Sequence, residues 1–335
     1  MVTSAMEKSD MPILFLGGHR KCGTTLLLNM LDGHPDFSTY PQDINTLYAY
    51  FPQFIAEEYS DKDRLARLDR VIFQDLADQL STSRQMSPSM LKVMRDYFFK
   101  TDDKFDSSDM AQVITRQMKC FEYANEQKNT RWAVAKETSS EIYAGDLFTW
   151  FPNAKMIQII RDPRDNYAAL KAGVSKYYSR FGDDNGTVLC SMINRYVHGL
   201  QVGITNRDRF GLDRYMTLRF EDLVSDPKNE INKVMSFLGT DFSPALLTPT
   251  ILGQSTSGNN HDGEQLFSIS AANVGRWKER ISETEAQVIE FHFGSLMQEY
   301  GYPLCFSPAQ RADAAAQLYQ FSNYKYYYFD RFADN

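Results

Sequence analysis

The chain has 335 residues, 43% of them hydrophobic and 13% aromatic, which is ample for a packed core in one large or two ordinary domains. Its formal net charge of -7 excludes a general polyanion binder, because nucleic acid or a heavily sulfated glycan demands a broad basic face. Any anion this chain holds is small, met by a few placed cations and backbone donors.

The first residues, MVTSAMEKSDM, contain no apolar signal core, and no run approaches ~18 uncharged apolar residues. Neither a secretion signal nor a membrane anchor is expected, and a cytoplasmic location follows. Residues 12–16 read as a buried strand and 24–32 as a helix that is apolar nearly all round, stopped by Gly33 and Pro35. Next come FSTYPQDINTLYAYF and then a polar, helix-compatible stretch over 59–130, read as surface helices inserted between core elements. The core resumes with a strand at 131–137 and a helix at 142–151. In AKMIQIIRDPRDNYAALKAG a strand at 154–160 meets a helix with Asp162 as N-cap, Pro163 at N1 and Asp165 at N3.

A helix at 189–205, a strand at 214–220 and a second aspartate-proline helix start ending at Gly239 continue the alternation. Strands alternating with helices predict an α/β fold with a central, mainly parallel sheet flanked by helices. A turn-rich loop at 253–265 precedes an amphipathic helix with a capping box, Ser282 with Glu285, closing at Gly301. The division expected is one domain over 1–305 and a tail over 306–335. That tail, with Tyr319, Phe321, Tyr324, Tyr326, Tyr327, Tyr328, Phe329 and Phe332, is too aromatic to stay solvated and is expected to pack on the domain or a second subunit. Cys22, Cys120, Cys190 and Cys305 stand far apart with no CxxC pair, against a disulfide framework or structural zinc.

The chemistry lies in the loop GGHRKCGTT. A glycine-bearing turn between a buried strand and a helix aims backbone N–H groups and the positive helix end at one spot, which suits an anion. Gly18, Gly23 and Thr25 match a triphosphate loop, but Thr24 stands where its lysine belongs, and Lys21 comes two residues before Gly23. That placement suits ATP poorly and suits a lysine arched over the terminal group of a shorter chain. Arg161 ends a strand, where ligands of parallel sheets lie. Together the two motifs point to one ligand with two separate phosphates.

With FPNAKMIQIIRDPRDNYAAL and the late NVGRWKERIS, the loop resembles the PAPS-dependent sulfotransferases, and looks most like the branch holding tyrosylprotein sulfotransferases and bacterial relatives. The resemblance runs over residues 12–303, thinly between 59 and 130. It implies a P-loop-like α/β fold with a helical insertion. It also implies sulfuryl transfer from 3′-phosphoadenosine-5′-phosphosulfate (PAPS), with the bisphosphate PAP as product and no metal. On this resemblance Arg20, Lys21, Cys22, Gly23, Thr24 and Thr25 hold the 5′-phosphosulfate, Lys21 sits at the bridging oxygen, Arg161 grips the 3′-phosphate and Arg276 closes on the cofactor. Lys136 matches a lysine near the sulfate. Three positions depart from the family: Ala169 replaces a serine that binds the 3′-phosphate, unless Lys171, Ser175 or Lys176 substitutes; Cys22 replaces a serine; Phe220 replaces a tyrosine.

For the base that takes the acceptor's proton, Asp43 follows a short strand where relatives place a carboxylate. A different spacing lands on Gln42, and Asp43 could instead cap the next helix; His19 is the histidine alternative. Gln42 and Tyr48 are expected to meet the acceptor, with Tyr40, Tyr50 and Phe51 nearby. The acceptor expected is a small cytosolic metabolite, with no nucleic-acid or membrane partner and a homodimer possible. The alternatives are a P-loop kinase or hydrolase, a non-catalytic protein of the same fold, and a protein-tyrosine or glycan acceptor.

Overall fold

A computed structural model of the chain describes residues 11–47, 61–74, 87–100, 105–126, 130–175, 184–255 and 269–318. Five strands, β1 (Ile13–Gly17), β2 (Phe37–Asp43), β3 (Trp132–Lys136), β4 (Lys155–Ile160) and β5 (Tyr215–Arg219), pair in the order β2-β3-β1-β4-β5. Every pairing in this sheet is parallel. The central strands β1, β3 and β4 are largely apolar on both faces because both are covered. Leu14, Leu16, Val134, Ile157 and Ile159 enter one core, while Ile13, Phe15, Ala133, Ala135 and Met156 enter the other.

The helices follow as α1 (Thr24–Leu31), α2 (Asp61–Asp69), α3 (Pro88–Phe98), α4 (Met110–Ala124), α5 (Ala144–Trp150), α6 (Pro163–Lys171) and α7 (Asn185–Phe210). After β5 come α8 (Phe220–Ser225), α9 (Pro227–Leu238), a two-residue antiparallel pair at Thr250–Ile251 and Gln254–Ser255, α10 (Trp277–Arg280), α11 (Glu283–Glu299) and α12 (Pro308–Leu318). The first core is closed by α1, α6, α7, α9 and α11. The expected capping box forms: Ser282 Oγ accepts from Glu285 N at 3.2 Å, and Glu285 Oε2 accepts from Ser282 N at 2.7 Å.

Two expectations need correction. Residues 59–130 are more than surface decoration, because α4 buries Val113, Ile114, Met118 and Phe121 in the second core, and Phe121 meets Tyr40 edge-on at 5.5 Å. Those positions recur at helical spacing behind the cap Asp109, whose carboxylate accepts from Ala111 N and Gln112 N. The sheet therefore uses the insertion to cover the face that α5 alone leaves open. The other is Asp43, expected to follow a short strand: it is instead the last residue of the seven-residue β2, which runs through Pro41. Proline is tolerated because β2 is an edge strand with a register shift between Thr39 and Asp43.

Beyond α11 the chain turns back on it: Cys305 N and Phe306 N donate to the fully buried Glu290, and α12 buries Ala314 and Ala315. The aromatic run from Tyr319 onward lies outside the described residues.

Candidate active site

The loop between β1 and α1 is shaped by three left-handed residues, Gly18 (φ 132°), Lys21 (φ 67°) and Gly23 (φ 103°). A Cβ on Gly18 would lie 2.2 Å from Ile159 O, and one on Gly23 would lie 2.5 Å from the Phe220 ring, so both positions require glycine. Gly23 is the N-cap of α1 and no side chain caps that end, which leaves the first-turn amides directed at the loop mouth. Thr24 is buried and Thr25 half-buried at this end. Lys21 is half-buried at the crest of the loop.

Cys22 departs from its expected part. Its amide donates to His19 O at 3.1 Å inside the loop, and its thiol is buried, accepting from Asn166 Nδ2 at 3.3 Å. Burial pushes that thiol up to about 12, so it stays a neutral packing group. His19 also faces inward: its ring stacks on Tyr196 at 5.0 Å and its Nδ1 lies 3.0 Å from Asn166 Oδ1. Burial, helped by Arg20 and Arg195, holds it well below the usual histidine range, so it is neutral and locks the loop rather than facing a substrate. Arg20 reaches sideways to Ser191 Oγ on α7 at 3.0 Å, while its carbonyl accepts from Asn166 Nδ2 at 2.8 Å.

The fold brings the three motifs into contact. Arg161, at the end of β4, donates from Nη1 to Lys21 O at 3.0 Å and from Nη2 to Asn273 O at 2.8 Å, with its guanidinium 4.5 Å over the Phe220 ring. Its Nε is buried and makes no hydrogen bond. Asp165 does not close on its own helix; it accepts from Gly275 N at 2.6 Å and Trp277 N at 2.8 Å, tying α6 to the late segment. Arg276 stands there half-buried, donating from Nη1 to Asn273 Oδ1 at 3.2 Å. Tyr196, which no sequence motif marks, holds the backbone of Arg161 on both sides, accepting from its N–H at 2.7 Å and donating to its carbonyl at 2.5 Å. Near Ala169, the ammonium of Lys171 is committed to both oxygens of Glu285, Ser175 is exposed, and Lys176 lies outside the described residues.

A second group gathers at the ends of β2 and β3. Lys136 Nζ lies 2.5 Å from Asp43 Oδ2, and Asp43 Oδ1 accepts from Thr138 N at 3.1 Å and Thr138 Oγ1 at 3.3 Å. These contacts run across the sheet, so the carboxylate serves β3 rather than capping the helix after it. Gln42 is buried, and neither end of its amide has a hydrogen-bond partner. Tyr48, Tyr50 and Phe51 fall outside the described residues. Two carboxylates that sequence reasoning passed over stand beside this group. Glu137 is 1% exposed, and burial, reinforced by Asp43, holds it well above the usual carboxylate range. Glu141 accepts from Gly18 N at 2.7 Å. The segment AKETSSE displays both, but only the fold shows that they are sealed in.

Burial raises Glu141 to about 7 against the Gly18 N–H that opposes it. The folded protein therefore binds this proton more tightly than the unfolded chain does, and stability falls as pH rises from 4.5 to about 7. The Glu141→Gln variant keeps an acceptor for Gly18 and removes the charge. Its unfolding free energy is expected to fall less than that of the wild type between pH 5 and pH 8, by up to about 3 kcal/mol, and its melting temperature to drop correspondingly less. Parallel melting curves with the same pH slope would show that Glu141 is not the titrating group.

The family model described as "Sulfotransferase family" matches residues 12–244. The chain is 24% identical over 238 residues to protein-tyrosine sulfotransferase 2 of Gallus gallus, covering 71% of this chain and 54% of that protein. It is 21% identical over 312 residues to the omega-hydroxy-beta-dihydromenaquinone-9 sulfotransferase of Mycobacterium bovis, covering 87% and 75%. The chain spans about half the length of the tyrosine and carbohydrate sulfotransferases that it matches. In fold it is similar to the sulfotransferase domain of the curacin biosynthetic pathway, with a TM-score of 0.60 at 17% identity over 89% of this chain and 100% of that one. The sulfotransferase domain of the Synechococcus PCC 7002 olefin synthase is alike at 0.57 and 21%, over 89% and 98%. A family match that spans the loop, the sheet and Arg161, carried on the same fold, means that this chain belongs to the sulfotransferase family.

Proposed function

We propose that this protein moves a sulfuryl group from PAPS to a hydroxyl, or an amine or guanidine nitrogen, of a small metabolite by in-line displacement. One observation carries the reading: Arg161 stands where the glycine loop, β4 and the segment before Trp277 meet, its Nε buried and unpaired. A buried donor without an acceptor is costly, and a phosphate oxygen at the loop mouth would satisfy it. The uncapped start of α1 suits a second anionic group a short distance along the same ligand. PAPS carries both anions and supplies an activated sulfuryl group with a phosphate as leaving group.

The chain's own residues divide the work. Thr24 and Thr25, with the first-turn amides, would hold the 5′ end, and Arg161 and Arg276 the 3′-phosphate. Lys21 would steady the oxygen on which charge grows as the bond to sulfur breaks. Asp43, fixed between Lys136 and Thr138, would take the proton of the attacking nucleophile, with Lys136 orienting the carboxylate. Gln42 and Tyr48 would meet the acceptor. A cytoplasmic setting belongs to the same proposal; among the described residues no helix is long and apolar enough to cross a membrane.

Titrating PAP and ATP side by side tests the donor. PAP is expected to bind without magnesium and more tightly than ATP; tighter, magnesium-dependent ATP binding would make this a nucleotide kinase or hydrolase instead. Asp43→Asn is then expected to lower turnover about a hundredfold with PAP affinity nearly unchanged. A variant that loses PAP affinity at full turnover would leave Asp43 a purely structural part.

A further inference from the structure

A cleft beside Asp43 and Lys136 is lined by Leu47, Glu137, Thr138, Ser139, Tyr143 and Arg195, together with Ile142. Its floor is unusual in what it leaves unsatisfied. Neither carboxylate oxygen of Glu137 makes a hydrogen bond of ordinary geometry, although the amides of Asn45 and Leu47 lie close enough to favour its charged form. Ser139 Oγ is likewise buried without a partner, on a residue held at φ 62°. Its amide is spent on Gly18 O at 3.0 Å, so the cleft is braced directly against the glycine loop. A buried carboxyl group at the edge of a cleft and short of hydrogen-bond partners is an expensive feature to keep.

We propose, resting on the sulfotransferase reading, that this cleft selects acceptors bearing a protonated nitrogen, with Glu137 and Ser139 receiving its N–H groups. The charged nitrogen is the handle and not the nucleophile, since a protonated amine has no lone pair with which to attack sulfur. A separate hydroxyl must then reach the Asp43–Lys136 pair, so the class of acceptor is the small amino alcohol. Glu137 adjoins Lys136 in sequence and feels the charge of Asp43, which keeps handle and nucleophile within one short molecule. Arg195 forms part of the cleft wall, and its field falls on Glu141, Tyr143 and His19. Burial and Asp43 hold the Glu137 carboxyl well above the usual carboxylate range, and an ammonium group beside it would oppose both.

The test uses aminoalkan-1-ols of two to six carbons and the diols of equal length, titrated by calorimetry into the full chain saturated with PAP. At least one amino alcohol is expected to bind about tenfold or more tightly than its diol. Glu137→Gln is expected to erase that preference while PAP affinity holds. No amino alcohol outperforming its diol in the wild type, or a preference that survives in Glu137→Gln, would overturn the assignment. Failure of PAP itself to bind the wild type would instead strike the sulfotransferase reading beneath it.

Discussion

Replacing Lys21 by alanine is expected to slow sulfuryl transfer by a hundredfold to about a thousandfold, the range seen when one donor to a developing oxyanion is removed, ~3 to 4 kcal/mol of barrier. PAP affinity should change little, because the product no longer carries the bond that Lys21 is proposed to serve. Alanine keeps a Cβ at the same left-handed backbone position, so the strain of φ 67° is not relieved and the loop conformation stays comparable. The neighbouring contacts are independent of the lysine side chain: Arg161 holds its carbonyl, and Asn166 holds the carbonyl of Arg20. Single-turnover rates alongside PAP titration separate the two quantities. Wild-type turnover in the variant would remove Lys21 from the chemistry.

Replacing Arg164 by alanine is expected to destabilise the fold by about 3 to 5 kcal/mol without touching a substrate. Arg164 is 2% exposed, pairs with Asp162 and Glu290 at 2.6 Å each, and lies 4.4 Å over the Trp277 ring. Removing it leaves Glu290, fully buried, with the amides of Cys305 and Phe306 as the remaining donors to it among the described residues. Glu290→Gln made in the Arg164→Ala background should recover part of the loss, which distinguishes a stranded carboxylate from simple cavity formation. Urea unfolding of the single and double variants measures this; a loss under about 1 kcal/mol would mean that the ion pair barely offsets its own desolvation.

The two arginines of RDPRDN show how far local reading reaches. Their strand-cap-proline-helix setting is written in adjacent residues, and Asp162 does cap α6 by accepting from Arg164 N at 2.9 Å. That Arg161 turns to the glycine loop while Arg164 turns to the C-terminal part of the domain is decided by partners 140 and 126 residues away. Asp165 illustrates the same limit. Its position predicts an N3 contact, yet two amides of the Gly275–Trp277 turn offer it better-placed donors than its own helix does.

The residues that sequence reasoning passed over are those whose meaning lies in desolvation. Glu137 and Glu141 look like ordinary acidic residues in a polar stretch, and Tyr196 like one more aromatic on a helix. Their significance appears once α7 and the Ser140–Tyr143 turn close over the end of the sheet. Cys22 and His19 erred in the opposite direction: they stand in the most informative loop, but the loop's curvature points both side chains into the protein.

What the sequence by itself determined is the local grammar: apolar runs for the parallel strands, caps and prolines for the helix starts, and a glycine loop whose displaced Lys21 argues against a triphosphate. Each follows from forces acting over a few residues, namely backbone sterics, capping and hydrophobic periodicity. The tertiary structure alone decided that α4 covers the second face, that Asp43 meets Lys136 and Thr138, and that the three motifs share one junction through Arg161 and Asp165. Those outcomes depend on long-range packing and on which polar groups lose their water, and neither quantity is visible in a stretch of neighbouring residues.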